Sequence, residues 1–175
     1  MSDDGLPATV EGAVVFTDLV GFTEYTAVQG DAAAAHLLGT QETIVTDALP
    51  ADARIVKELG DGLMIWFPEP CTAVRVCLDL LDAFETASDR TLEPLWVRMG
   101  MHFGVQTTRR DDLIGHAVNL AARISDQAGA GELLVSEETV AATRESGEGL
   151  EFESIGPVLL KGIPDSVEIY RATRD

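Results

Sequence analysis

Runs of apolar residues alternate with polar turns along this chain, and their periods change from segment to segment. The run Ala13-Val14-Val15-Phe16 lies inside a strand predicted over Glu11–Leu19. Residues 22–48 read as mostly helical, strongest at Ala32–Ala35, with Gly30 an interruption and Pro50 the stop. Arg54–Leu59 and Leu63–Phe67 read as two strands of a tight hairpin turning at Gly60-Asp61-Gly62. Over 70–86, Val74, Cys77, Leu78, Leu81 and Phe84 recur at helical spacing. A strand follows over Leu95–Phe103 and ends at Gly104. A polar loop, Gln106–Asp112, then leads to a helix over about Gly115–Ala128, stopped near Gly129 and Gly131. A short strand (Leu133–Val135), a helix capped by Ser136, and a hairpin region over Leu150–Arg171 complete the chain.

The opening order is β-α-β-β-α-β, so the fold class expected is α+β: a ferredoxin-like βαββαβ core with extra C-terminal strands and a helix, its antiparallel-rich sheet flanked by helices. Right-handed crossover makes the first two strands parallel, with the third between them. The carboxyl end of the first strand and the tip of the following hairpin then share one edge of the sheet. Asp18 and Asp61 occupy those two places.

With 175 residues and 46% hydrophobic content, the chain suits one domain with a real core. Residues 1–10 read as a tail and 11–175 as the domain. The net charge of -18 excludes nucleic acid as an expected partner, since both would be polyanions. Cys71 and Cys77, six apart on one helix, are placed too poorly for a bridge and read as reduced, packed thiols. The acidic start Met1-Ser2-Asp3-Asp4 lacks the apolar core of a leader, and no apolar run approaches the roughly 20 residues of a membrane span. No membrane contact and a cytoplasmic location are the expectations.

Chemistry concentrates in four places. A lone Asp18 would read as a helix N-cap, and a lone Asp61 as a turn residue. Brought to one edge, two carboxylates repel unless a cation lies between them. Hard oxygen ligands in small number suit Mg²⁺ or Mn²⁺ that also binds phosphate, with the Leu19 carbonyl as a further ligand. The amides of Gly21, Phe22 and Thr23, opening a helix, would face phosphate oxygens. Lys57 lies on the strand entering the hairpin, where a solvated edge charge is the ordinary alternative. Asp112 reads as a loop or helix-start carboxylate. Asn119 and Arg123, four apart, share a helix face beside the small residues Ala121 and Ala122.

Three segments in order resemble the catalytic domain of class III nucleotidyl cyclases. Phe16-Thr17-Asp18-Leu19-Val20-Gly21-Phe22-Thr23 is similar to the first metal motif. Lys57-Glu58-Leu59-Gly60-Asp61 is similar to the motif with a base-reading Lys and the second metal Asp. The segment from Asp112 to Arg123 is similar to the motif with the second base reader and both transition-state residues, and Leu160-Lys161-Gly162 sits where the family places a phosphate-binding Lys. Only seven residues separate Gly104 from Asp112, a short arm similar to that of a bacterial subgroup. Arg109 and Arg110 in that arm read equally as phosphate contacts or solvated charges.

The resemblance implies an adenylate cyclase acting on ATP, with two Mg²⁺ or Mn²⁺ ions per site held by Asp18, Leu19 and Asp61. It implies a head-to-tail homodimer in which Lys57, Asp112, Asn119, Arg123 and Lys161 come from the other subunit. Lys57 and Asp112 would read adenine, Asn119 would orient ribose, Arg123 would stabilise transition-state charge, and Lys161 would bind phosphate. A guanylate cyclase is the first alternative. A pseudo-cyclase that binds nucleotide without turnover is the second, although every expected residue type is present. His36, His102 and His116 read as structural or solvated.

Overall fold

The computed structural model describes residues 6–175, so the first five residues of the expected tail lie outside the described residues. The elements run β1 (Thr9–Leu19), α1 (Phe22–Gln29), α2 (Asp31–Ala48), β2 (Arg54–Leu59), β3 (Gly62–Phe67), α3 (Pro70–Thr91), β4 (Val97–Arg109), β5 (Asp112–Ile114), α4 (His116–Gln127), β6 (Leu133–Ser136), α5 (Glu137–Thr143), β7 (Leu150–Val158) and β8 (Val167–Arg174). They form one eight-stranded sheet in the order β2-β3-β1-β4-β6-β8-β7, with β5 paired to β4 outside that path. Most pairings are antiparallel; β4 and β6 run parallel. The expected α+β, ferredoxin-like class with added C-terminal strands is what the chain adopts.

β1 occupies the centre because its middle is apolar on both faces: Ala13, Val14 and Val15 are all fully buried. On one face the main core joins β1, β3 and β4 to α2 and α3 through Val15, Ile65, Phe67, Val74, Phe84 and Met101. On the other face Val14 and Met64 meet Leu113, Val118 and Ala121, so α4 covers part of that face. Phe16, Val56 and Trp66 are only partly buried there. Gly100 lets α4 lie flat on β4, since a β-carbon there would fall 2.1 Å from the Ser125 nitrogen.

Several boundaries differ from the sequence expectation, each for a local reason. β1 begins at Thr9, where it pairs with Thr107 of β4. The segment 22–48 is two helices, broken at Gly30, whose φ of 90° lies outside the helical region. α3 extends to Thr91 and begins with Pro70 after Glu69, whose carboxylate accepts from the amides of Cys71 and Thr72. The strand does not stop at Gly104. β4 continues to Arg109, and glycine is needed at 104 because a β-carbon would lie 2.9 Å from the His102 Nε2. The expected polar loop at 106–112 is therefore mostly a hairpin arm: Thr107, Thr108 and Arg109 pair with Ile114, Leu113 and Asp112. Cys71 and Cys77 are buried free thiols.

Candidate active site

Three elements converge at the carboxyl end of β1. The pairing of β1 with β3 runs to Thr17 opposite Leu63, so the two-residue turn after β2 sits beside Asp18. Two features fasten that join. The buried Thr17 hydroxyl accepts from the Leu63 amide at 3.1 Å, and Gly62 touches the Thr17 carbonyl so closely that a β-carbon would fall 2.0 Å from it. Asp18 and Asp61 are brought together. Burial pushes the Asp61 carboxyl up to about 7, and the neighbouring Asp18, through a hydrogen bond and its charge, pushes the same way.

Asp18 is no helix cap. The N-cap of α1 is Gly21, in the left-handed region at φ 77°, and no side chain caps that helix. The carboxylate of Asp18 instead accepts two hydrogen bonds from Arg98, from Nε at 3.1 Å and from Nη2 at 2.8 Å. Arg98 stands opposite Asp18 in the β1–β4 register. Its Nη1 also donates to the Asp126 carbonyl at the end of α4. Sequence reading missed Arg98. The available signal was a lone cation inside the apolar run Trp96-Val97-Arg98-Met99.

Asp18, Leu19, Gly21, Phe22, Thr23, Asp61 and Arg98 line one hollow of about 350 Å³. The chemistry of this donor set suits a hard divalent cation. Two crowded carboxyl groups, one of them resisting ionisation, gain most from a positive ion. Among the described residues no group of three or more His, Cys, Asp or Glu could hold a metal alone. A cation held by this pair would keep coordination positions for phosphate oxygens or water, as Mg²⁺ prefers.

A second hollow, about 380 Å³, is lined by Val56, Lys57 and the β4–β5 turn from Arg109 to Asp112. Lys57 Nζ donates to Asp112 Oδ2 at 2.9 Å. That hydrogen bond is the main reason the Asp112 carboxyl is held below the usual carboxylate range. Arg109 and Arg110 flank this hollow; Arg110 takes a left-handed φ of 56° at the turn. The two hollows have no lining residue in common.

Asn119 is exposed on α4, and Arg123, one turn on, pairs with Asp126 at 3.2 Å. Lys161 is exposed in the connection between β7 and β8. Its neighbour Leu160 is buried among Leu120, Ile124 and Ala128, which seats that connection against α4. The residues expected to form one site thus fall in this chain into a carboxylate hollow, a Lys57–Asp112 hollow, the Asn119–Arg123 stretch of α4, and Lys161 in the β7–β8 connection. Of the histidines, His102 is buried and shares a 2.8 Å hydrogen bond with Ser136, and His36 pairs with Glu93.

The chain is similar to several known proteins. A pH-sensitive adenylate cyclase of Mycobacterium tuberculosis is 30% identical over 171 residues, 97% of this chain and 42% of that protein. An adenylate cyclase of Streptomyces coelicolor is 37% identical over 124 residues, 70% of this chain and 32% of that protein. The chain spans less than half the length of both relatives. Its fold matches the adenylyl cyclase CyaB from P. aeruginosa with a TM-score of 0.87 at 24% identity, covering 97% of each chain. It also matches the guanylate cyclase domain of RhGC from Catenaria anguillulae, with a TM-score of 0.74 at 19% identity over 95% of this chain and 98% of that one. The fold is therefore common to enzymes named for either purine. No helix among the described residues is long and apolar enough to cross a membrane. The family model of the adenylate and guanylate cyclase catalytic domain matches residues 8–173, so the chain belongs to that family.

Proposed function

We propose that this domain is an adenylate cyclase that converts ATP to 3′,5′-cyclic AMP and pyrophosphate at sites shared between two copies of the chain. The observation that carries the choice of base is the Lys57–Asp112 pair at 2.9 Å. Lys is a donor only and ionised Asp an acceptor only. Adenine presents an acceptor at N1 and a donor at its amino group, so the pair matches its edge. Guanine presents a donor at N1 and a carbonyl at position 6, which reverses both contacts. Mismatched buried polar groups are costly, so ATP is favoured over GTP.

The sharing of sites is supported by the separation of the two hollows, which have no lining residue in common. A head-to-tail pair sets the Asp18–Asp61 hollow of one copy against Lys57, Asp112, Asn119, Arg123 and Lys161 of the other, and twofold symmetry makes two equivalent sites. Asp18, Asp61 and the Leu19 carbonyl would hold Mg²⁺ or Mn²⁺, two per site, and the ions would supply Lewis acidity toward the ribose 3′-hydroxyl and positive charge toward the triphosphate. The Gly21, Phe22 and Thr23 amides at the start of α1 face the phosphates. Arg98, which pairs with Asp18 and lines the same hollow, would offer its fork to phosphate oxygens bound there. Asn119 orients the ribose for in-line attack on the α-phosphorus. Arg123 stabilises charge growing on the bridging oxygen, and Lys161 binds the departing pyrophosphate.

Incubation of the purified chain with ATP or GTP and Mn²⁺, with products identified by mass spectrometry, tests the proposal. Cyclic AMP as the main product is expected. Cyclic GMP as the main product would overturn the reading of the Lys57–Asp112 pair, and no cyclisation by a demonstrated dimer would overturn the proposal as a whole.

A further inference from the structure

One stripe of α2 faces the core: Ala34, Leu37, Gln41 and Val45. Three of these are apolar, while Gln41 carries an amide yet is only 2% exposed. Its Nε2 donates to the main-chain carbonyl of Asp61 at 3.3 Å. Its Oε1 is buried and meets no hydrogen-bond donor among the described residues. A buried acceptor left unsatisfied costs about 1–3 kcal/mol. Methionine or leucine would fill the same slot without that cost, since volume-conserving swaps are well tolerated in cores. What the amide does, and a hydrocarbon cannot, is hold the Asp61 carbonyl.

That carbonyl lies in the tight turn at Gly60-Asp61, which projects past the last paired residues, Leu59 and Gly62. The Thr17 hydroxyl ties down the strand just after the turn, through the Leu63 amide. The β2–β3 ladder ends on either side of the Asp61 peptide, and Gly60 before it takes a left-handed φ of 60°. The bond from α2 reaches across 20 residues of sequence to that peptide.

We propose that Gln41 is a positioning residue: it holds the Asp61 peptide from beneath so that the Asp61 side chain stays against Asp18, ready to receive a divalent cation. This rests on the reading of Asp18 and Asp61 as metal ligands given above. The buried amide is kept at some cost to stability because it sets the geometry of a carboxylate that it never touches.

The test compares the full chain with Gln41→Met, Gln41→Leu and Asp61→Ala. Thermal unfolding is followed in chelator, and Mn²⁺ binding is followed by loss of the free-ion paramagnetic resonance signal. Half-saturating Mn²⁺ for activity and the KM for ATP at saturating Mn²⁺ complete the set. Gln41→Met should unfold at or above the wild-type temperature while binding Mn²⁺ about tenfold or more weakly, the range seen when groups supporting a metal ligand are removed. Half-saturating Mn²⁺ should rise by the same factor with KM for ATP unchanged. Wild-type Mn²⁺ binding by Gln41→Met would overturn the proposal. So would unfolding of both Gln41 variants well below wild type, which would make the amide a structural element. Loss of Mn²⁺ binding by Asp61→Ala alone would leave the metal reading standing without Gln41. Wild-type binding by Asp61→Ala would remove the metal reading itself.

Discussion

Gly62 lies against Thr17 so closely that a β-carbon would sit 2.0 Å from the Thr17 carbonyl oxygen. The obstacle is backbone in the central strand, which cannot rotate away. Gly62→Ala must therefore push β3 off β1 at the point where Asp61 meets Asp18. We expect it to lower stability by about 1–3 kcal/mol, the usual cost of overpacking a core. Cyclase activity should fall further than stability, because the two carboxylates separate. Urea unfolding alongside initial-rate measurements checks both.

Lys57 and Asp112 each keep 38% of their side-chain surface exposed, so their ion pair contributes at most about 1 kcal/mol to the fold. Lys57→Met and Asp112→Asn should thus unfold near the wild-type midpoint. Each should lose about 10²-fold or more in kcat/KM for ATP, as expected when a site's polar contact to a base is removed. The double exchange Lys57→Glu with Asp112→Asn presents an acceptor and a donor in reversed places and should raise the GTP-to-ATP ratio of kcat/KM. Retention of full ATP activity by either single variant would contradict the assignment.

The Asp61 carboxyl is raised from 3.8 to about 7. The metal-free folded state thus holds this proton more tightly than the unfolded chain. Its favourable contribution is complete below the unfolded value and is lost as pH rises through about 7. Asp61→Asn lacks this titration. In chelator, its unfolding temperature should gain on that of wild type from pH 5 to pH 8. A cation requires the ionised carboxylate, so Mn²⁺ binding should release a proton below pH 7, and affinity should climb with pH and level off above it. Calorimetry in buffers of different ionisation enthalpy measures that proton.

A mixture of Asp61→Ala and Arg123→Ala chains should recover activity that neither has alone. One interface of the mixed dimer keeps every catalytic group. About half of the dimers formed from equal amounts are mixed, each with one intact site of two, so recovery should approach roughly a quarter of the wild-type rate. Absence of recovery, with mixed dimers demonstrated by native mass spectrometry, would count against shared sites.

The meeting of Asp18 with Asp61 was legible in the sequence because it follows from strand order alone. A β-α-β-β start leaves one place for the end of the first strand and one for the hairpin tip. The Arg98 contact with Asp18 was not legible. It depends on the register of β1 against β4, and neither the alternation of Val97, Met99 and Met101 nor the turn at Asp112 fixes that register. The β4–β5 arm was misread because Thr107, Thr108, Arg109 and Arg110 carry a loop's composition. In an edge hairpin those side chains stay polar while the backbone pairs. Gln41 was hidden for a different reason: a glutamine in a helix looks like surface until burial is known.

The central position of β1 and the marginal position of β2 and β5 divide the labour of this domain unequally. Asp18, proposed above as a cation ligand, closes a strand that is paired on both sides. Lys57 and Asp112, proposed above to read the purine, stand on an outer strand and a three-residue spur. A replacement at the periphery disturbs the pairing of one neighbouring strand, whereas one at the axis disturbs two. On the proposed function, a lineage built on this scaffold would exchange one cyclic nucleotide for another through a few marginal replacements while its phosphate chemistry stayed unchanged.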